Sequence, residues 1–272
     1  MADARNFWDR LDPKYRVILC DVWGVLHDGV KLYPGAARRL QQWRRDGRYV
    51  LLITNAPKTA DVVEEQLARL GLPRDCWDAI VTSGEAGITA LKALGAAIGF
   101  IGTPEDRVVI EGRGLRIAAG DGFTDLACTG LEEARPRVAD YGEDLERWVE
   151  RNVRMHCLNP DRLVVRGGVP ELCAGAIADA YEALGGQVSW YGKPFEPIYA
   201  HALEVAGRPS IEAVLAIGDG LETDMLGAAR IGIDAVFVTG GVNAGAPFPV
   251  DFAARHGLGD WRPVAVVDGL QR

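Results

Sequence analysis

Six residues of this sequence have the types and spacing to do chemistry together. Asp21 follows the apolar run Val17-Ile18-Leu19-Cys20, and Gly24 lies three positions on. Thr54 and Asn55 end the run Tyr49-Val50-Leu51-Leu52-Ile53. Asp219 ends Ala213-Val214-Leu215-Ala216-Ile217-Gly218, with Asp224 one turn further, and Lys193 precedes Pro194. Three carboxylates gathered at one place repel one another unless they are protonated or bound to a cation. An oxygen-only ligand set favours Mg²⁺, which keeps waters and accepts substrate phosphate oxygens. Thr54 and Asn55 offer a hydroxyl and an amide to an anion. Lys193, read as opening a helix, adds positive charge near a helix N-terminus. A metal, an oxyanion site and an ionised carboxylate together suit phosphoryl transfer to an aspartate.

The elements that must position these residues are strands. Two further runs, Ala79-Ile80-Val81 before Thr82-Ser83 and Ala235-Val236-Phe237-Val238 before Thr239-Gly240, repeat the pattern. Unbroken apolar runs of this length are the mark of parallel strands buried on both faces. Five such strands deliver polar groups at the same end, so a shared site along one rim is expected. Helices are expected from Pro34 to just before Gly47, and over about 59–70 and 196–205, which makes a β-α-β rhythm and a doubly wound α/β sheet. In such a sheet Asp21 and Asp219 meet at the switch point.

The rhythm breaks at residue 84. The stretch 84–187 reads as an inserted α/β unit within a core made of 1–83 and 188–272. Short strands are expected at 97–101, 107–110 and 115–117, then a long charged helix over 131–151. A helix with Leu172, Ala176, Ile177, Ala180 and Leu184 inward follows. The core rhythm is expected to resume with a strand ending at Tyr191. Residues 1–16 read as an arm or short helix, and 240–249 as a surface loop. Asn159, Asp161 and the Gly167-Gly168 turn are candidates for facing the site, although Asn159-Pro160-Asp161 also reads simply as a turn.

With 272 residues, 48% hydrophobic and 25% charged, the chain can bury a sizeable core as an ordinary soluble globular protein. Its 30 basic and 38 acidic residues give a net charge of −8, which argues against nucleic-acid or anionic-membrane binding. An anionic small substrate stays open, because a local metal reverses the sign of a site. The five cysteines lack metal-ligand spacing and read as reduced thiols. The polar start, Met1 to Arg16, does not read as a signal peptide, and no apolar run approaches a membrane span, so a cytoplasmic protein is expected.

The order Asp21-x-x-Gly24, Thr54-Asn55, Lys193-Pro194 and Gly218-Asp219-Gly220-Leu221-Glu222-Thr223-Asp224 resembles the haloacid dehalogenase superfamily of hydrolases. The large insert resembles the C2 cap of its class IIA branch, which holds sugar, nucleotide and p-nitrophenyl phosphatases. The resemblance covers nearly the whole chain. It implies a Rossmann-like core and Mg²⁺ held by Asp21, the backbone carbonyl of Trp23, Asp219 and Asp224. It implies Asp21 as the nucleophile, with Thr54 and Lys193 holding phosphoryl oxygens and Asn55 supporting the phosphate loop. A small phosphorylated metabolite is the implied partner, with Trp23, Gly24, Asn55, Asn159 and Asp161 against it. A homodimer through the cap is implied by resemblance only.

One position departs from the pattern. The family's phosphatases carry a second aspartate two residues after the nucleophile, and here that residue is Trp23. Losing a general acid–base typically costs about 10²–10⁴-fold in rate. His27, Asp28 or Glu222 could stand in, or the substrate could carry a good leaving group. Three readings follow: a Mg²⁺-dependent phosphomonoesterase, a silent metabolite-binding protein, and a metal-independent dehalogenase-type hydrolase.

Overall fold

Residues Val17, Ile18, Leu19 and Cys20 alternate between two apolar clusters, one on each side of a parallel sheet, which is why the run is continuous rather than alternating. The computed structural model describes residues 7–241 and 246–271. Residues 1–6 of the expected arm and 242–245 of the expected loop lie outside the described residues.

The strands, in chain order, are β1 (Val17–Cys20), β2 (Tyr49–Thr54), β3 (Ala79–Thr82), β4 (Ala97–Ile101), β5 (Arg116–Ile117), β6 (Asp125–Cys128), β7 (Arg154–Cys157), β8 (Leu163–Arg166), β9 (Val169–Leu172), β10 (Gln187–Trp190), β11 (Val214–Gly218), β12 (Asp234–Val238) and β13 (Ala265–Val267). The α-helices are α1 (Ala36–Arg45), α2 (Ala60–Arg69), α3 (Ser83–Leu94), α4 (Pro104–Gly112), α5 (Gly142–Glu150), α6 (Ala174–Ala183), α7 (Glu196–Val205), α8 (Leu226–Ile231) and α9 (Phe252–His256).

Two parallel sheets organise the molecule. The first runs β13-β12-β11-β1-β2-β3 and the second β10-β7-β6-β4-β5, with β8 and β9 forming a separate antiparallel hairpin. The first sheet is doubly wound, as the sequence implied. Leu40, Trp43, Val63 and Leu67 cover one face, while Ile198, Tyr199, Leu226 and Phe252 cover the other. Each fully buried large apolar side chain contributes roughly 1.5–3 kcal/mol, and this two-sided burial fixes the sheet. Register then sets the site: Cys20 pairs with Ile217 on one side and Leu52 on the other, so Asp21, Asn55 and Asp219 emerge at one rim.

The second sheet differs from the sequence expectation in several places. Arg107–Ile110 is not a strand but the middle of α4, because Pro104 opens the helix and the Thr103 hydroxyl accepts from the Asp106 amide at 3.2 Å. The long helix expected over 131–151 shortens to a 3₁₀ turn, Val138–Tyr141, and α5. Pro136 lacks an amide proton and disfavours helix at Arg135, so the first half is a loop. Leu172 belongs to β9 and is exposed, while Leu184 caps α6, so neither serves the buried face expected of them. The strand ending at Trp190 pairs with β7 and so joins the second sheet, not the core sheet. Lys193 does not open a helix either, since α7 begins at Glu196. The Lys193-Pro194 peptide is cis, in the loop before that helix.

Among the described residues, no helix is long and apolar enough to cross a membrane. All five cysteines are free and buried.

Candidate active site

Asp21 caps β1, and its amide donates to the Ile217 carbonyl at 2.8 Å, so the ladder between β1 and β11 continues right up to the site. Its side chain is buried, as are those of Asp219 and Asp224. One carboxylate oxygen from each can be chosen so that all three lie within 4.8 Å of one another. Asp219 follows β11 directly, and Asp224 sits on the single π-turn Leu221–Met225, with its Oδ2 accepting from the Gly220 amide at 3.1 Å. The Lys193 ammonium donates to Asp21 Oδ1 at 2.5 Å and to Asp224 Oδ1 at 2.8 Å.

The electrostatics follow from burial. Desolvation pushes the Asp21 carboxyl well above its usual range; Lys193 pulls it down, while Asp224 and Asp219 push it further up. Burial would discharge Lys193, but Asp21 and Asp224 outweigh it and hold the ammonium well above its ordinary value. Three buried carboxylates facing one ammonium form an oxygen-only set short of positive charge. That set fits a hard divalent cation such as Mg²⁺. The backbone cradle fits as well. A Cβ on Gly24 or on Gly241 would overlap the Asp219 carboxylate, and Gly24 takes a φ of +84° that glycine adopts freely.

The anion-binding candidates divide. Thr54 is buried at the end of β2, and its Oγ1 accepts from the Ala56 amide at 3.2 Å, which leaves its hydroxyl proton for a ligand. Asn55 was expected against substrate, but its amide is occupied within the protein. Its Oδ1 accepts from the Lys193 amide at 2.7 Å; its Nδ2 donates to the Lys193 carbonyl at 3.0 Å and to Asp161 Oδ1 at 2.9 Å. Asn55 therefore positions the lysine loop. Asn159 Oδ1 accepts from the Asp161 amide at 3.2 Å, so the Asn-Pro-Asp segment is a turn as well as part of the cleft wall. Burial raises the Asp161 carboxyl, against the pull of Lys193.

Two connected cavities meet here. One, about 410 Å³, holds Asp21, Lys193, Asp219 and Asp224; the other, about 540 Å³, reaches from Thr54 to the second sheet. Trp23, Asn55, Asp161 and Val164 line both. Trp23 is committed elsewhere. Its indole Nε1 donates to the Val165 carbonyl at 3.2 Å, the Arg166 guanidinium lies 4.8 Å from its ring centre, and His27 meets it edge-on. The β8–β9 hairpin is thereby pinned to the loop after β1. The Gly167-Gly168 turn touches that loop through a Gly167 amide bond to the Asp28 carbonyl, at 3.1 Å, and does not line either cavity.

None of the three expected substitutes for the missing aspartate is well placed. His27 Nδ1 accepts from the Gly29 amide at 2.9 Å, and burial drives its imidazole down to about 4, against Asp28. Asp28 accepts from the Val30 and Lys31 amides as a turn cap. Glu222 lines the smaller cavity but is half-exposed and pairs with His256 at 3.3 Å. Sequence reasoning missed Gly241, Gly192 and the hairpin residues Val165 and Arg166. A Cβ on Gly192 would strike Asn55 Oδ1. The Gly240-Gly241 pair after β12 was the one signal present in the sequence.

Two measurements follow. Gly24→Ala should lose at least about 1 kcal/mol from its positive φ alone, read by urea unfolding, and should displace Asp219. His27 is neutral when folded, so stability is fully present above pH 6.5 and falls as pH drops toward 4. At 1.36 kcal/mol per unit, the loss reaches about 3 kcal/mol. A His27→Gln variant should flatten that acid limb of the stability curve.

Comparison with known proteins gives the family. Residues 18–116 match the family described as haloacid dehalogenase-like hydrolase, and residues 190–271 match a HAD-hydrolase-like family. The chain is 30% identical over 237 residues to ribonucleotide monophosphatase NagD of Escherichia coli (strain K12), covering 84% of this chain and 88% of that protein. It superposes on a haloacid dehalogenase-like hydrolase from Brucella suis 1330 with a TM-score of 0.85 at 33% identity, over 96% and 97% of the two chains. A glycerol phosphate phosphatase from Mycobacterium tuberculosis in complex with magnesium shares the fold at a TM-score of 0.71 and 23% identity, over 94% of this chain and 76% of that one. The chain belongs to the haloacid dehalogenase-like hydrolase family, in its class IIA branch.

Proposed function

We propose that this protein is a Mg²⁺-dependent phosphomonoesterase that acts on a small phosphorylated metabolite through an aspartyl-phosphate on Asp21. The observation that carries this reading is the Lys193 ammonium bonded to both Asp21 and Asp224 beside Asp219. The magnesium complex of the Mycobacterium tuberculosis relative and the phosphatase names of the relatives support it. Asp21, Asp219, Asp224 and the Trp23 carbonyl would hold the metal. When bound, it would neutralise charge on the phosphoryl oxygens and keep Asp21 ionised.

The chain's own residues supply the rest. An Asp21 carboxylate oxygen attacks phosphorus, and the bond to the ester oxygen breaks. The leaving group departs as its anion and takes its proton from solvent. Water then attacks phosphorus and gives up a proton to solvent, and the bond from phosphorus to the Asp21 oxygen breaks, freeing the carboxylate and inorganic phosphate. Lys193 and the Thr54 hydroxyl hold the phosphoryl oxygens during both steps. We assign residues 84–187 to a C2 cap, with β10 completing its sheet, that closes over the rim and excludes water. Trp23 cannot protonate the leaving oxygen. Esters with weakly basic leaving groups should therefore turn over fastest. The same residue favours a second reading, a metabolite-binding protein without turnover.

Hydrolysis of p-nitrophenyl phosphate and acetyl phosphate tests this. Turnover should require Mg²⁺, stop with EDTA and vanish in Asp21→Asn. Turnover that survives EDTA would sink the metal-dependent reading, and Mg²⁺ binding without turnover would leave the binding protein. Trp23→Asp should raise turnover of alkyl phosphates more than that of p-nitrophenyl phosphate, by up to about 10²-fold. Equal effects on both would remove Trp23 as the limit.

A further inference from the structure

The β8–β9 hairpin has no apolar core of its own. Among the described residues, none of those in β8 or β9 belongs to a buried apolar cluster, and all four residues of β9 are exposed. A two-stranded hairpin alone is marginal at best in water, so its order depends on what it docks against. Three contacts tie its far end to the loop after β1. The Trp23 indole donates to the Val165 carbonyl at 3.2 Å, the Arg166 guanidinium lies 4.8 Å from the Trp23 ring centre, and the Gly167 amide donates to the Asp28 carbonyl at 3.1 Å. Pro170, opposite Val165, has no amide proton to offer that carbonyl, and the indole supplies one.

Trp23 is confined on its other sides by the loop itself. A Cβ on Gly29 would overlap its ring, and the His27 imidazole meets it edge-on with 5.1 Å between ring centres. The next residue, Gly24, donates its amide to the His27 carbonyl at 2.9 Å and lies so close to Asp219 that a Cβ would overlap the carboxylate. One residue thus belongs to two structures. Its main chain runs between Asp21 and the glycine against Asp219, and its side chain is the dock of the hairpin. A segment already ordered by one partner pays less entropy to be ordered by the other, which makes the two events cooperative.

We infer that Trp23 is a positioning residue that couples the metal site to the β8–β9 hairpin. Docking of the hairpin on the Trp23 side chain restrains the residue whose carbonyl is assigned to the metal, and Mg²⁺ binding in turn tightens the hairpin on the loop. The inference rests on the Mg²⁺ site of the proposed phosphomonoesterase and gives the position that lacks a carboxylate a role of its own. The hairpin residues Val164, Arg166, Glu171 and Leu172 line the larger cavity, so the same coupling ties the order of that wall to the metal.

Hydrogen exchange and calorimetry on the full chain, with Mg²⁺ alone as the probe, test this without turnover. The Gly167 amide reads docking, because its acceptor lies on the loop; the Cys173 amide, which donates to the Arg162 carbonyl at 3.0 Å across the base of the hairpin, reads whether the hairpin itself stands. Saturating Mg²⁺ should slow Gly167 exchange by at least about fivefold, the low end of coupling between sites, and change Cys173 exchange less. By reciprocity, Arg166→Met and Trp23→Phe should each weaken Mg²⁺ binding by up to the same factor, and the double variant should lose no more than the larger single loss. Trp23→Phe keeps every backbone atom of the residue, so affinity lost there is lost through the side chain; Arg166→Met, on the exposed hairpin, serves if that variant fails to fold. Gly167 exchange that ignores Mg²⁺, or Mg²⁺ affinity unchanged in the folded variants, would overturn the coupling and leave the phosphomonoesterase reading intact. Coupled exchange in a protein that hydrolyses no phosphate ester would end that reading and leave the coupling standing, and a wild-type protein that binds no Mg²⁺ would end both.

Discussion

Everything at the site depends on one crowding problem: three carboxylates share a buried space in which none can be left to water. The core sheet creates it, because the register of β1 on β11 sends Asp21 and Asp219 out of the same crevice. Lys193 relieves part of it by bridging Asp21 and Asp224. The glycines are consequences of the same crowding. Gly24 and Gly241 let backbone approach Asp219 where any side chain would strike it. A buried arrangement with this excess of negative charge is costly unless a cation completes it, which is why the fold and the metal are one question here.

The second consequence is geometric. Two parallel sheets face each other rim to rim, and each brings its own switch point to the shared cleft. The core rim presents the charged groups Asp21, Lys193, Asp219 and Asp224. The opposite rim offers hydroxyls, a carboxylate and the turn at Asn159. Neither rim needs long loops, since both are the natural ends of strands and helices.

The core was legible because its strands are buried on both faces and read as unbroken apolar runs; Asp21, Thr54 and Asp219 were placed simply by ending them. The stretch 84–187 was harder for physical reasons. Arg107–Ile110 has the β-branched residues of a strand, and the Thr103-Pro104 helix start overrode them. Val188 and Trp190 gave no sign of which sheet they would join, because pairing partners are a tertiary choice. Asn55 was recognisable as important, but its amide could face outward or inward, and only the position of Lys193 decides that. Trp23 was the one visible departure from the family pattern, yet its partners come from a hairpin the sequence did not reveal.

The Asn55 clamp divides its bonds unevenly between two neighbours. Two of its three side-chain bonds go to the Lys193 backbone and one crosses to Asp161. Of these three, only the bond to Asp161 reaches the stretch that carries the second sheet. The lysine loop keeps both of its own. Lys193 is therefore held at the charged centre by bonds from the end of β2 that do not depend on the second sheet.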